Sequence, residues 1–592
     1  MVTRLLMLRH RLRPDSRSSS CSALAAALLL LAGSHAAAQV DSLSDVYPAG
    51  SLRGEAAVSR LGSELARVAA EHNLDTDALA RTLRDDDSLW VSADGRLFHV
   101  DAASAQVEGP PPTYAGSIPG AEAFTLHSRP GASKIVYLDF TGHHSVNNSW
   151  GHDIQFPPYN TSGGNGTFTS AELGQIITWW ERTAEDYAPF DVDVTTEEPP
   201  LSALTKIGGG DSTFGIRVVC TQITSGFGSG SGGIAFLYSF NDSTDNPCFA
   251  FNKGNNTGSM TVSHESGHSF GLSHDGLNGM TYHPGTGSGE TSWGPIMGAP
   301  FNSSLVQWST GDYAGASTGQ NDANIITSNS NGVDFMPDDF GDDHTDATPM
   351  PPAPGCPAPE PARIEGLIER RTDVDSFSFS TGGGVVTIAA IPFSPGGNLD
   401  IQIEVLTSSG VPVATENQAN EADALMSVDL APGDYVILID GVGKTGVYSD
   451  YGCLGQYRVE LTQPGQQQVT NLGGGVVGSN NFKPGVQWNG LTCPGEGVGL
   501  ILTTAPPNAT AFLAFGLAEL GVPFKGGVMV PDLAPPGDML ALQVSGFGHL
   551  GLATTWPSGF PSGTSVYFQF WIPDAQAATG VAASDGLRVT TQ

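Results

Sequence analysis

At 592 residues, with a formal net charge of −35 and 76 glycines, the chain is too long for a single hydrophobic core. It is also too acidic to hold nucleic acid or an anionic lipid surface. No apolar run reaches the roughly 18 residues that span a bilayer, so no stable membrane insertion is expected.

Residues 1–38 read as a Sec-type signal peptide. Arg4, Arg9, Arg11, Arg13 and Arg17 precede the short apolar run SALAAALLLLAG, and Ala36-Ala37-Ala38 supplies an A-x-A cleavage site. A secreted, extracellular protein is expected, of net charge −39 once those five arginines and Asp15 are removed. Disulfides are the default in that setting, with Cys220–Cys248 as the natural pair. Cys356–Cys453 is a weaker second pair, and Cys493 is left over.

Residues 39–130 have the character of a pro-region. A helical stretch carries Leu61, Leu65, Val68 and Ala69 at helical spacing, and EGPPPTYAGSIPG ends the region as an exposed linker. Residues 131–336 mix strands with long helices: SKIVYLDFTGH, FDVDVTT, FGIRVVC and GGIAFLYSF alternate as strands. Thr169-Ser170-Ala171-Glu172 is a capping box opening a helix with Leu173, Ile176, Ile177, Trp180 and Tyr187 on one face. An α+β domain is expected here.

Residues 337–361 form an acidic, proline-rich linker. It is either a solvated spacer or, through Asp338, Asp339, Asp342 and Asp343, a calcium site. Short alternating strands between Gly/Pro/Asn turns follow over 362–462 and, after a linker at 463–483, over 484–592. Two all-β, sandwich-like domains are expected.

The chemistry lies in SHESGHSFGLSHDG, 263–276. His264 and His268 stand four apart and project from one face of a helix, suiting two corners of a tetrahedral Zn²⁺ site. Glu265 sits beside the first ligand as candidate general base. Gly271 ends the helix with a positive φ and turns His274 back as third ligand. Three neutral ligands leave a fourth position open, which a catalytic zinc requires.

HESGHSFGLSHD resembles the metzincin zinc-peptidase signature, H-E-x-x-H-x-x-G-x-x-H followed by Asp, and most of all its adamalysin (reprolysin-like) branch. WGPIMGAP, 293–300, resembles the methionine turn beneath the metal, with Met297 as its turn residue. No tyrosine stands two residues after Met297, so the additional tyrosine ligand of astacin- and serralysin-type sites is not implied. QWSTGDYAGA resembles the start of the C-terminal helix in secreted bacterial relatives. The resemblance implies a cleft with zinc, Asp275 buttressing it from beneath, and Gly233, Ile234 and Ala235 on an edge strand that binds extended peptide. His143, His144 and His283 are expected in loops or at the surface rather than on the metal. Related proforms often use a pro-region cysteine for latency. None lies between residues 39 and 219, so a carboxylate, a histidine such as His127, or steric cover must serve. Residues 362–462 resemble the bacterial pre-peptidase C-terminal domain in RTDVDSFSF, NLDIQIEVL and APGDYVILIDG.

The expected protein is therefore a secreted zinc endopeptidase, made as a zymogen, that acts on protein or peptide substrates with Glu265 as base. The alternative is an extracellular adhesive or glycan-binding protein that retains the zinc site as a scaffold.

Overall fold

The computed structural model describes residues 47–592 except 73, 105–117, 164–166, 224, 352–360, 464–468, 479–482, 491, 547, 562, 576 and 592. The expected signal peptide, most of the proline-rich stretch before residue 118, and Cys356 lie outside the described residues.

The stretch expected as a pro-region forms β1 (Leu52–Arg53), α1 (Gly54–Leu61), α2 (Leu65–Glu71), α3 (Thr76–Asp85), β2 (Leu89–Val91) and β3 (Leu97–Ala102). The expected helical stretch is thus broken into short helices. Asp75 caps α3 by accepting from the Ala78 N–H, and Leu79 and Leu83 of α3 pack on Leu61, Val68 and Ala69. β2 and β3 form a hairpin closed by the Ser92 N–H to Arg96 carbonyl bond, with Gly95 at φ +89°.

Next come β4 (Lys134–Asp139), β5 (His144–Ser145), β6 (Ile154–Gln155), α4 (Ser170–Asp186), β7 (Asp193–Thr195), β8 (Phe214–Cys220), β9 (Ser231–Phe236), β10 (Cys248–Ala250) and α5 (Asn255–Phe270). The capping box at Thr169 and Glu172 forms as expected. One sheet runs β1-β2-β3-β9-β10-β8-β4-β7. β10, β8, β4 and β7 run parallel to one another, whereas β9 is antiparallel to β10 and to β3. The N-terminal strands β1–β3 therefore extend the sheet from β9, which would otherwise be its edge.

Ile176, Ile177 and Trp179 of α4 pack with Val136, Leu138, Ile216 and Val218 of the sheet and with Val262 and Phe270 of α5. α5 is buried along nearly its whole length. Small residues allow this: a Cβ on Gly258 would stand 1.7 Å from the Trp179 ring. The hydroxyls of Ser259, Thr261 and Ser266 donate to carbonyls one turn back, so burial leaves them bonded.

Beyond Gln307 the expected C-terminal helix does not start at QWSTGDYAGA. Those residues follow the short strand Leu305–Gln307, and a helix appears only at Asp322–Ile326. Downstream, two sheets share one core. The first runs Thr348–Pro349, Val374–Thr381, Gly433–Gly441, Ile401–Thr407, Pro412–Glu416. The second runs Ala362–Ile368, Gly455–Thr462, Gly384–Pro392, Ala424–Leu430. Phe377, Ile403 and Ile437 of one meet Val386, Ile388 and Val459 of the other. The last region is also built of strands. Val469–Gly473, inside the stretch expected as a linker, pairs with Gly586–Thr590.

The expected cysteine pairs do not form: Cys220, Cys248 and Cys453 are buried free thiols. In the parallel β8–β10 ladder Cys220 faces Ala250 and Cys248 faces Val218. That offset puts their Cα atoms about 8 Å apart by strand rise and spacing, beyond the ~7 Å a disulfide can bridge. Cys453 instead bonds the Val442 carbonyl and accepts from Gln307. Cys493, expected to be left over, is disulfide-bonded, and no disulfide joins two described residues.

Candidate active site

α5 carries His264, Glu265 and His268, and Gly271 ends it. Gly271 stands at φ +109°, with its N–H on the His268 carbonyl and the Leu272 N–H on the Gly267 carbonyl. The chain turns back there and delivers His274.

Each histidine is oriented through Nδ1. His264 Nδ1 is 2.8 Å from the Ile296 carbonyl and His268 Nδ1 is 2.7 Å from the Leu272 carbonyl. His274 Nδ1 lies 3.3 Å from Asp86 Oδ2 and 3.3 Å from Ser88 Oγ. A ring donating from Nδ1 presents the lone pair of Nε2, and the three Nε2 atoms converge. His268 Nε2 and His274 Nε2 are 3.1 Å apart.

Asp101 of β3 completes the cluster. Its Oδ2 is 3.0 Å from His264 Nε2 and 3.5 Å from His268 Nε2, and its Oδ1 is 3.1 Å from His274 Nε2. Asp101 Oδ2 and His264 Nε2, though close, share no hydrogen bond and have no other partner. Both are aimed at a common point. The edge of a tetrahedron with zinc–ligand bonds of ~2.0–2.1 Å is about 3.3–3.4 Å, so these four groups fit a zinc ion. Tyr282 holds the carboxylate by donating to Asp101 Oδ1 at 2.8 Å. His99 also brings a ring nitrogen near Asp101, His268 and His274. It lies face-on to His268 at 4.3 Å, however, and its Nδ1 is bonded to Ser88 Oγ, so it is a wall of the site.

Electrostatics follow this crowding. Burial opposes a charge on His274, but Asp101 and Asp86 outweigh it and raise its pKa to about 9. His268, for which burial dominates, falls to about 4. Burial and the charge of Asp101 push Glu265 well above the usual carboxylate range. Glu265 is fully buried with both carboxylate oxygens unpartnered. It rests against β9, where a Cβ on Gly233 would fall 1.9 Å from its Oε1.

Of the other expected positions, Met297 is fully buried beneath α5, its sulfur 2.7 Å from where a Cβ of Gly267 would be. Its carbonyl accepts from the Asp275 N–H at 2.9 Å. The Asp275 side chain is buried near Tyr313 and Asp322 and is raised to about 7 by burial. Gly233, Ile234 and Ala235 lie on β9, but their outer edge is taken: they pair with Asp101, Val100 and His99. His127 is not in the site; it bonds Asp193 and Glu197. His283, expected in a loop or at the surface, is in a loop but buried against Trp293 and Tyr313.

Asp86, His99, Asp101 and Tyr282 were not expected here. The sequence held one usable sign: VSADGRLFHVDA reads as a hairpin whose alternation places His99 and Asp101 on one face. Beside His264 and Glu265 opens a cavity of ≈ 200 Å³ whose walls include Met260, Ile296, Ala299 and Phe301.

Residues 182–275 match the family model for the reprolysin-like metallo-peptidase family M12B. This match and the buried His/Asp cluster together support zinc-dependent metallopeptidase activity. No curated protein matches the chain. Among solved structures, the pre-peptidase C-terminal domain of a Bacillus anthracis collagenase is 14% identical over 21% of this chain and 99% of its own, at a TM-score of 0.15. Aeromonas hydrophila PliG, a periplasmic inhibitor of g-type lysozyme, is 13% identical over 21% and 100%, also at 0.15. A tandem-repeat segment of a large adhesion protein is 9% identical over 39% and 50%, at 0.13. Among the described residues no helix is long and apolar enough to cross a membrane.

Proposed function

We propose that the chain is a secreted zinc endopeptidase, exported through its N-terminal 38 residues and held latent by its own strand β3. The observation that carries this reading is the double occupation of the cleft: β3 pairs along β9 while its Asp101 sits on the three histidine nitrogens.

His264, His268 and His274 would hold the zinc, which would supply polarisation of the scissile carbonyl and an acidified water. The chain's residues do the rest. An extended substrate adds to β9 in the place of β3, antiparallel, with main-chain bonds supplying affinity. The carbonyl to be cleaved then lies where the Asp101 carboxylate stands, opposite Gly233. Glu265, packed on Gly233, takes the proton of the attacking water and returns it to the leaving amine. The cavity walled by Met260, Ile296, Ala299 and Phe301 receives an apolar side chain next to the cut. An adhesive scaffold would have no use for a sealed, unpaired carboxylate beside the donor cluster.

Two measurements test this. In protein activated by removal of residues 39–130, Glu265→Gln should retain one zinc per chain and lose casein cleavage by ~10²–10⁴-fold; cleavage at the rate of the activated parent would remove Glu265 from the mechanism. Asp101→Ala should release zinc to a chelator at least ten times faster than the parent full-length chain, a readout independent of turnover. Equal release rates would show that Asp101 does not guard the metal.

A further inference from the structure

The strand that covers the cleft is held, past the histidines, by a side chain that belongs to neither the metal cluster nor the proposed base. β3 follows β9 as far as Asp101 opposite Gly233, and the next pair is Ala102 with Ser231, so Gly232 is the extra residue of a bulge. The Gly232 carbonyl already accepts from the N–H groups of Phe251 and Asn252, at 2.8 and 3.1 Å, which engages both its lone pairs. Past Ala102 the paired strand ends, and the Ser104 N–H donates to Asn252 Oδ1 at 3.0 Å instead.

Asn252 stands between β10 and α5, is 8% exposed, and lines the cavity beside Glu265 together with Gly232 and Ser104. Its amide can point only one way. The Thr261 hydroxyl, one helical turn before Glu265, donates its single hydrogen to the Thr257 carbonyl at 2.7 Å, so toward Asn252 it can only accept. Asn252 Nδ2 donates to it at 2.9 Å, which leaves Oδ1 facing the covering strand. Reversing the amide would set Nδ2 against the Ser104 N–H and Oδ1 against the Thr261 oxygen, losing both bonds. Gly232 makes the close approach possible: a Cβ there would lie 2.7 Å from Asn252 Nδ2 and 2.7 Å from the Ala102 carbonyl oxygen.

The result is a fixed acceptor for one main-chain N–H, three residues beyond Asp101. An extended substrate in the place of β3 brings a backbone N–H to that point whatever its side chains are. We propose that Asn252 binds substrate by accepting the N–H of the third residue on the amine side of the cut, and that it thereby refuses chains with proline or an N-alkyl residue there. This inference rests on the endopeptidase reading, with the cut carbonyl in the place of the Asp101 carboxylate. Refusal follows because a residue without the N–H leaves the Asn252 oxygen buried and unpaired, at a loss on the order of tenfold or more.

The test uses full-length protein folded with zinc and then cleaved to release residues 39–130. A peptide that this protein cuts is compared with copies carrying an ester oxygen in place of the N–H at the second, third or fourth residue beyond the cut. For the parent, the third-residue ester should lower kcat/KM by about tenfold or more. In Asn252→Ala that penalty should shrink to about threefold or less, since no buried acceptor is left unpaired. The second- and fourth-residue esters should cost parent and variant alike. Asn252→Asp, which keeps an acceptor, should keep the third-residue penalty. Equal third-residue penalties in the parent and Asn252→Ala overturn the proposal. Binding of a synthetic 96–104 peptide, with amide or ester at Ser104, is read by fluorescence anisotropy and needs no turnover. Preference for the amide in the parent but not in Asn252→Ala supports the Asn252 contact, and equal preference in both overturns it. A parent that shows this preference yet cuts no peptide would count against the endopeptidase reading and leave the Asn252 contact standing.

Discussion

Replacing Gly271 by alanine should expose two separable costs at the turn that delivers His274. The first is backbone strain: Gly271 stands at φ +109°, where a non-glycine residue costs about 1–2 kcal/mol. The second is steric, since the new Cβ would lie 2.3 Å from the Tyr238 ring. That ring is backed by His72 at a centroid distance of 4.8 Å and has little room to yield. Overpacking of this kind adds about 1–3 kcal/mol, giving roughly 2–5 kcal/mol together. Gly279 supplies the control: it has φ +86° and nothing within 4 Å of a Cβ, so Gly279→Ala should carry the strain alone. For a domain of this size 1 kcal/mol moves Tm by ~2–4 °C. Gly271→Ala should therefore lower the melting of the metallopeptidase region by on the order of 10 °C, and Gly279→Ala by only a few degrees. Because the turn carries His274, Gly271→Ala should also weaken zinc at least tenfold in a competition titration with a chromogenic chelator, while Gly279→Ala should not. Equal melting of the two variants, or parental zinc affinity in Gly271→Ala, would refute the reasoning.

Arg217 is buried between Asp139 at 2.8 Å and Asp245 at 3.0 Å, so Arg217→Met should destabilise by about 3–5 kcal/mol by stranding two buried carboxylates. Denaturant unfolding followed by tryptophan fluorescence would measure it. Glu185, which accepts from Gln456 N–H and side-chain amide across to the β-domain, is raised by burial to about 8 from an ordinary 4.5. The folded state thus holds a proton that the unfolded chain has released, so stability should fall as pH rises from about 4.5 to about 8. Glu185→Gln should flatten that slope in melting curves across the range. Cys220 and Cys248 are fully buried thiols whose pKa burial raises, so native protein should leave both unalkylated by iodoacetamide until it unfolds, as peptide mass mapping would record.

Local rules decided a good part of this protein. The i, i+4 histidines, the glycine that reverses the chain and the third histidine are neighbours in sequence, so helix geometry alone brings them together. The capping box at Thr169 and the strand over Phe214–Cys220 are local in the same sense. What the sequence left open is every partner brought by the order of the sheet. Asp86 meets His274 across 188 positions and Asp101 meets Tyr282 across 181. That meeting exists because β3 pairs with β9, and pairing between distant strands leaves no mark in the spacing of either. The same holds for Asn252, an ordinary polar residue ahead of a helix until Ser104 is laid beside it across 148 positions. It holds too for Cys220 and Cys248, placed on adjacent strands but two positions out of step. The sequence by itself brought together the proposed metal ligands and the proposed base. Only the tertiary structure decided what covers them, because that depends on which strand took the open edge of β9.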